Sequence, residues 1–156
     1  GICETVSRII ETFTDLWVIV PMHKNPQVRS VIRSVLGGIK RVFLCEPLDY
    51  PDFVWAMNKS AIILTDSGGV QEETTFLGIP TLVMRDVTER PEALEYGTSF
   101  LVGTDPDKIF KNVSRILGED NGFIRPPLEK IPPFGKGEAS ERIVETLEEI
   151  LRNDSK

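Results

Sequence analysis

An α/β fold built on a doubly wound parallel sheet follows from three features of the sequence. Five short apolar runs lack the polar alternation of a half-exposed strand, as strands covered on both faces require. Segments with apolar residues at helical spacing lie between those runs. The two kinds of segment also alternate along the chain, which is the pattern of parallel strands joined by crossover helices.

The order starts with a helix, since Ile2, Val6, Ile9, Ile10 and Phe13 share one face. Leu16–Val20, ended by Pro21, is the first buried strand. Val28, Val31, Ile32, Val35 and Leu36 mark a second helix stopped by Gly37 and Gly38, and Val42–Cys45 is the next strand. Phe53–Met57 reads as a short helix and Ala61–Thr65 as the third strand. After a turn at Asp66–Gly69, Val70–Leu77 is a helix ended by Gly78; Pro80–Met84 and Ser99–Val102 are the last two strands. Beyond Asp105, Ile109, Val113, Ile116 and Leu117 define another helix. A loop with Pro126, Pro127, Pro132, Pro133, Gly135 and Gly137 then leads to an amphipathic C-terminal helix, about Ser140–Leu151, or 138–152 with its flanks. No repeat or low-complexity tract interrupts the pattern, so residues 1–156 read as a single domain.

With 40% hydrophobic and 27% charged residues over 156 positions, the chain has enough apolar material for one core. Eighteen Lys and Arg against 24 Asp and Glu give a net charge of -6, which argues against a nucleic acid partner. The apolar runs are far shorter than the roughly 20 residues that cross a bilayer, and no signal-peptide layout opens the chain. The expectation is a cytoplasmic protein without a membrane partner. Cys3 and Cys45 form no CxxC pair and His23 stands alone, so no metal site is expected. The N-x-Ser matches at Asn58, Asn112 and Asn153 carry little meaning in that compartment. A start at Gly1 that enters a helix at once gives the expectation of a piece of a longer or split protein.

Asp66-Ser67-Gly68-Gly69-Val70-Gln71-Glu72-Glu73 follows a strand and opens a helix. Free backbone N–H groups and the helix dipole at such a place favour an anion such as a diphosphate. Paired glycines let a ligand approach, Ser67 adds a hydroxyl, and the Glu73 carboxylate is suited to a sugar diol. An ordinary helix start, capped by Asp66 or Ser67 with Glu72 or Glu73 favoured by the dipole, explains the same residues. Neither a P-loop nor a GxGxxG fingerprint is present. The polar segment Met84–Glu92 leaves the carboxyl end of the fourth strand, on the side of an open sheet where ligands bind. Arg85 and Arg90 there either neutralise a diphosphate or pair with Asp86, Glu89 or Glu92 on a solvated loop. Pro47–Phe53 offers aromatic rings and free amides suited to a nucleobase, or simply packing under a loop. His23, as the one histidine, is either an acid/base group or a structural residue.

His23-Lys24-Asn25-Pro26, Pro47-Leu48-Asp49-Tyr50, Thr65–Glu73, Leu77-Gly78-Ile79-Pro80 and Arg85–Glu92, in this order and spacing, closely resemble the non-hydrolysing UDP-N-acetylglucosamine 2-epimerases. The similarity covers nearly the whole chain but only the C-terminal part of that family's sequence. The resemblance implies a Rossmann-like UDP-binding domain, the C-terminal half of a GT-B fold, acting in polysaccharide biosynthesis with a UDP-sugar as ligand. It implies Leu48 (backbone) and Phe53 (ring) at the uracil, and Ser67, Gly68 and Gly69 at the diphosphate. Glu73 falls to the ribose hydroxyls and Arg90 to the phosphate or sugar side. His23 matches a histidine linked in some members to a second, regulatory UDP-sugar site, which removes it from the acid/base candidates. Neither a cofactor nor a metal is implied.

The same resemblance implies interconversion of UDP-GlcNAc and UDP-ManNAc by elimination and re-addition of UDP. The carboxylates of that reaction belong to an N-terminal domain outside this chain, so the fragment alone is expected to be inactive and to need that half, from the same or a separate chain. Family members tend to be homo-oligomers. A family segment His-Arg-Arg-Glu would fall just before Gly1, and a usual Asn-Pro-Tyr-Gly-Asp-Gly reads Pro132-Pro133-Phe134-Gly135-Lys136-Gly137 here. A non-catalytic nucleotide-sugar-binding module, an interaction or regulatory subunit with a vestigial UDP site, and the donor-binding half of a GT-B glycosyltransferase are the alternatives, although Thr88–Glu92 favours the epimerase over the last. In a sheet of order 3-2-1-4-5-6 the first strand is central. If the chain begins after it, Leu16–Val20 and Ala61–Thr65 flank a slot that a partner strand fills or that the sheet closes.

Overall fold

The computed structural model describes residues 1–118, 123, 126, 133–135 and 137–154. Of the loop expected over 126–137, Pro127, Pro132 and Lys136 lie outside the described residues, as does Ser155 of the last N-x-Ser match.

The first helix, α1 (Ile2–Thr12), buries Thr5, Ile9 and Ile10. Its C-terminal end is closed by a residue far along the chain: the Arg41 guanidinium donates to the carbonyls of Ile10 (2.7 Å), Phe13 (2.9 Å) and Leu16 (2.8 Å). A cation at that end satisfies carbonyls that lack helical partners and complements the helix dipole. Strand β1 (Val18–Pro21) follows, then α2 (Pro26–Leu36), β2 (Val42–Cys45), α3 (Tyr50–Lys59) and β3 (Ile63–Thr65). The chain continues through α4 (Gly68–Leu77), β4 (Thr81–Val83), α5 (Pro91–Tyr96), β5 (Ser99–Leu101), α6 (Pro106–Leu117) and α7 (Ala139–Asp154).

Local chemistry accounts for the boundaries. Asn25 accepts from the Gln27 N–H (2.9 Å), and Asp105 accepts from the Asp107 and Lys108 N–H groups (both 2.9 Å), so α2 and α6 start with side-chain caps and a proline in the first turn. Helix α3 is longer than the expected Phe53–Met57, because Asp49 caps it through the Asp52 N–H (3.1 Å) and Pro51 sits in its first turn. Helix α5 was not among the expected elements. It is six residues long and begins at the end of the polar segment Met84–Glu92. Gly78 ends α4 at φ 65°, where its N–H reaches back to Thr74 and Thr75, a conformation that favours glycine.

All pairings are parallel, as expected, but the expected single sheet is in two parts: β1 with β2, and β3-β4-β5. β1 and β3 are not neighbours in either, so the sheet has not closed between them. Helix α1 packs on both α2 and α6, while α3 packs on α4 and α4 on α5, giving a helical layer on each face. The core lies under the three-stranded part, where Ile9 of α1 meets Leu82, Val102, Ile109, Val113 and Ile116. Arg8 ties α1 to α6 by a 2.9 Å bond to Asp107 and by stacking its guanidinium 3.8 Å from the Phe110 ring centre. Helix α7 keeps its apolar residues Ile143, Val144, Leu147, Ile150 and Leu151 exposed.

Candidate functional site

The turn from β3 into α4 is held from below. The Thr65 hydroxyl accepts from the Ser67 N–H (3.1 Å), and the Ser67 carbonyl accepts from the Gln71 N–H (3.4 Å) and its Nε2 (3.2 Å). Ser67 is the N-cap residue of α4, yet its side chain makes no cap bond. Side-chain caps close α2, α3 and α6, whereas α1, α4 and α5 have none. The N–H groups of Gly68, Gly69 and Val70 lie before the first helical hydrogen bond of α4, which runs from the Gln71 N–H to the Ser67 carbonyl.

Arg90 reaches this turn from the segment after β4. A Cβ built on Gly68 would lie 3.9 Å from the Arg90 Cζ and 4.0 Å from its Nη2. The guanidinium is held by Glu72, to which its Nε donates, and by the Glu89 carbonyl, 3.0 Å from Nη1. Arg85 forms a two-pronged pair with Glu89 (2.8 and 2.7 Å). The hydrogen bonds from Arg85 hold the Glu89 carboxyl below the usual carboxylate range, and Glu89 in turn pushes the Arg85 guanidinium up. Of the two expected arginines, Arg90 thus meets the glycine turn, while Arg85 is engaged by its neighbour.

Two residues that sequence reasoning passed over fix this arrangement. Gln71 is fully buried; its Oε1 accepts from the Thr88 hydroxyl (2.6 Å), which accepts from the Arg90 N–H (3.0 Å). A chain of hydrogen bonds therefore runs from Ser67 through Gln71 and Thr88 to Arg90. Glu73, half-buried, lies in the first turn and a half of the same helix.

The other candidates lie further along the carboxyl edge. Leu48 is half-buried in the loop after β2, and Phe53 is half-buried in α3, which packs beside α4. His23 is exposed beyond β1, where its Nδ1 accepts from the Asn25 N–H (3.2 Å). It shares that end with an open cavity of about 520 Å³ lined by Lys24, Pro26, Arg29, Ser30 and Arg33, which includes none of the residues at the α4 turn. Arg29 there pairs with Glu46, whose carboxyl is held low by that bond. Among the described residues no group of three or more His, Cys, Asp or Glu is placed to hold a metal ion, and no helix is long and apolar enough to cross a membrane.

Comparison with known proteins adds to this geometry. Residues 1–148 match a family model described as UDP-N-acetylglucosamine 2-epimerase. The Escherichia coli K12 UDP-N-acetylglucosamine 2-epimerase is 46% identical over 146 residues, 94% of this chain and 39% of that protein. A Staphylococcus aureus MnaA structure with UDP superposes with a TM-score of 0.89 at 42% identity, over 97% of this chain and 40% of the other. The Neisseria meningitidis UDP-GlcNAc 2-epimerase bound to UDP-GlcNAc gives 0.88 at 39% identity, over 94% and 39%. The chain thus spans about 39% of the length of the curated relatives it matches.

Proposed function

Since the chain belongs to the UDP-N-acetylglucosamine 2-epimerase family, we propose that it is the UDP-binding, C-terminal half of such an enzyme and that it acts on a UDP-linked N-acetylhexosamine together with an N-terminal half. The observation that carries this reading is the uncapped start of α4 with the Arg90 guanidinium standing over Gly68. Backbone N–H groups of the first turn, the Ser67 hydroxyl and the Arg90 guanidinium thus lie together at this turn. That donor set suits a diphosphate, although the Glu89 carboxylate, 3.9 Å from the same Cβ position and paired with Arg85, also stands at the turn.

In this reading Ser67, Gly68, Gly69 and Arg90 hold the diphosphate, and Glu73 accepts hydrogen bonds from the ribose hydroxyls. The Leu48 backbone and the Phe53 ring take the uracil. Their positions on α4, on the loop after β2 and on the neighbouring α3 put all of them at the carboxyl end of the strands, which supports a single extended ligand. The reaction interconverts UDP-GlcNAc and UDP-ManNAc. The C2 proton is removed and the C1–O bond breaks, leaving UDP and a 2-acetamidoglucal; protonation from the opposite face at C2 and return of UDP to C1 complete the inversion. This half stabilises the negative charge that develops on the departing UDP. The acid/base carboxylates come from the N-terminal half, so the chain alone is inactive, and the working enzyme is a homo-oligomer. By the same resemblance His23, exposed beyond β1, belongs to a second, regulatory UDP-sugar site.

Calorimetric titration of UDP into the chain, and into Ser67→Ala and Arg90→Ala variants, tests the diphosphate assignment. Loss of one hydrogen bond to a charged group corresponds to about 1.5–3 kcal/mol, or a roughly 10- to 150-fold weaker Kd for Arg90→Ala, with a smaller loss for Ser67→Ala. Equal affinity for UDP in all three folded proteins, or no UDP binding by the folded parent, would overturn it.

A further inference from the structure

The two arginines of the segment after β4 are held in different ways, and the difference bears on what each can give to a ligand. Arg90 is anchored at three points: its Nε donates to Glu72 on α4, its Nη1 to the Glu89 carbonyl (3.0 Å), and its backbone N–H to the Thr88 hydroxyl (3.0 Å). So fixed, its Nη2 comes within 4.0 Å of the Cβ position of Gly68. Arg85 has a different kind of hold. Among the described residues its side-chain hydrogen bonds both go to the Glu89 carboxylate, from Nη1 to Oε2 (2.8 Å) and from Nη2 to Oε1 (2.7 Å).

That carboxylate stands beside the glycine turn. Its Oε2 is 3.9 Å from the Cβ position of Gly68, the same distance as the Arg90 Cζ. A planar anion that engages a guanidinium through two oxygens has the geometry with which arginine also binds phosphate. The charge of Asp66, at the start of the same turn, acts on Arg85 as well, which sets this guanidinium at the rim of the site. Asp66, Glu72 and Glu89 against Arg85 and Arg90 give the turn a negative balance. The bonds from Arg85 hold the Glu89 carboxyl low, so it is ionised at neutral pH and repels an anion that enters over Gly68. The pair is also easily exchanged. The side chains of Arg85 and Glu89 are 38% and 57% exposed, and an ion pair this open to solvent contributes little.

We propose that Glu89 is an internal stand-in for the ligand's diphosphate: the two are alternative partners of Arg85, and ligand entry over Gly68 turns the Glu89 carboxylate out to solvent and passes the Arg85 guanidinium to the diphosphate. This rests on the diphosphate assignment above and adds to it a second cation, one that is exchanged where Arg90 is fixed. Glu89 thereby sets the affinity. The site holds UDP less tightly than its donors alone would, and the carboxylate, by taking Arg85 back, favours release.

Two measurements test the exchange. In the first, the Glu89 carboxyl of the parent chain is titrated by carbon-13 NMR, alone and saturated with UDP or with uridine, which lacks the diphosphate. The midpoint is low in the free chain, rises to or above the ordinary glutamate value of about 4.3 with UDP, and stays low with uridine. In the second, calorimetry follows UDP and uridine binding to the parent and to the Glu89→Gln, Arg85→Gln and Arg90→Ala variants. Glu89→Gln binds UDP about fivefold or more tightly, Arg85→Gln about fivefold or more weakly, and neither changes the affinity for uridine. A midpoint that UDP leaves unmoved, or a folded Glu89→Gln protein that binds UDP no more tightly than the parent, would overturn the exchange. The carboxyl titration needs only the parent, so it decides the matter even where a variant does not fold. Weaker UDP binding by Arg90→Ala with no change in Glu89→Gln would remove the exchange and keep the diphosphate assignment, whereas no UDP binding by the folded parent would remove both.

Discussion

Replacing Gln71 by leucine keeps a side chain of similar size while deleting a buried amide. That amide donates to the Ser67 carbonyl (3.2 Å) and accepts from the Thr88 hydroxyl (2.6 Å). A hydrogen bond contributes about 1 kcal/mol net, and leaving a buried partner unpaired costs about 1–3 kcal/mol. The Ser67 carbonyl retains the Gln71 N–H at 3.4 Å, and Thr88 is only half-buried, so both penalties fall at the low end. The expected loss is about 2 kcal/mol, which for a chain of this length lowers Tm by about 4–8 °C. Thr88→Val deletes the 2.6 Å bond from its other side, so the double variant is less destabilised than the sum of the two by about 1 kcal/mol. Thermal unfolding of the four proteins, followed by circular dichroism, measures this coupling. Strict additivity, or a Tm shift below about 1 °C for Gln71→Leu, would refute the claim that this pair fastens the Arg90 segment to α4.

Two further outcomes follow from single positions. Gly103 has φ 62°, and a Cβ there would lie 2.8 Å from Asp86 Oδ1; Gly103→Ala should lower the urea midpoint by the equivalent of about 1–2 kcal/mol, with part of the loss recovered when Asp86→Ala is added. Hydrogen bonds from Arg85 lower the Glu89 carboxyl in the folded state. The stabilisation is then fully present above the ordinary glutamate value of about 4.3 and is lost as pH falls through the depressed one. Against a Glu89→Gln control, the stability difference measured by denaturant titration should be flat near neutrality and shrink on acidification; a difference that grows on acidification would contradict the pairing.

The apolar runs made all five strands legible, because a strand buried on both faces has no polar alternation to blur it. Their ends were less legible. β1 starts at Val18 rather than Leu16, since its ladder begins only where the Val18 N–H meets the Arg41 carbonyl. Helix α5 escaped because six residues from Pro91 to Tyr96 carry too few apolar positions to mark a period. At the site, the glycine turn and Arg90 stood out as residue types, and the structure brings them together. The Gln71 and Thr88 pair did not, because complementarity between two polar side chains on different elements leaves no periodic trace. Nor does composition decide between a capped and an open helix start: Ser67 fits both, and the orientation of its hydroxyl separates them.

The division of the sheet also bears on the order of assembly. Residues 18–45 contain all of one two-stranded unit and residues 63–101 all of the three-stranded one, so each ladder joins strands that a single crossover separates. Pairings of that kind close short loops and cost little chain entropy. The long-range event is different: α6 returns to α1, and Arg8 meets Asp107 across 99 positions. The contacts therefore divide into two short-range ladders and one long-range docking of α6 on α1.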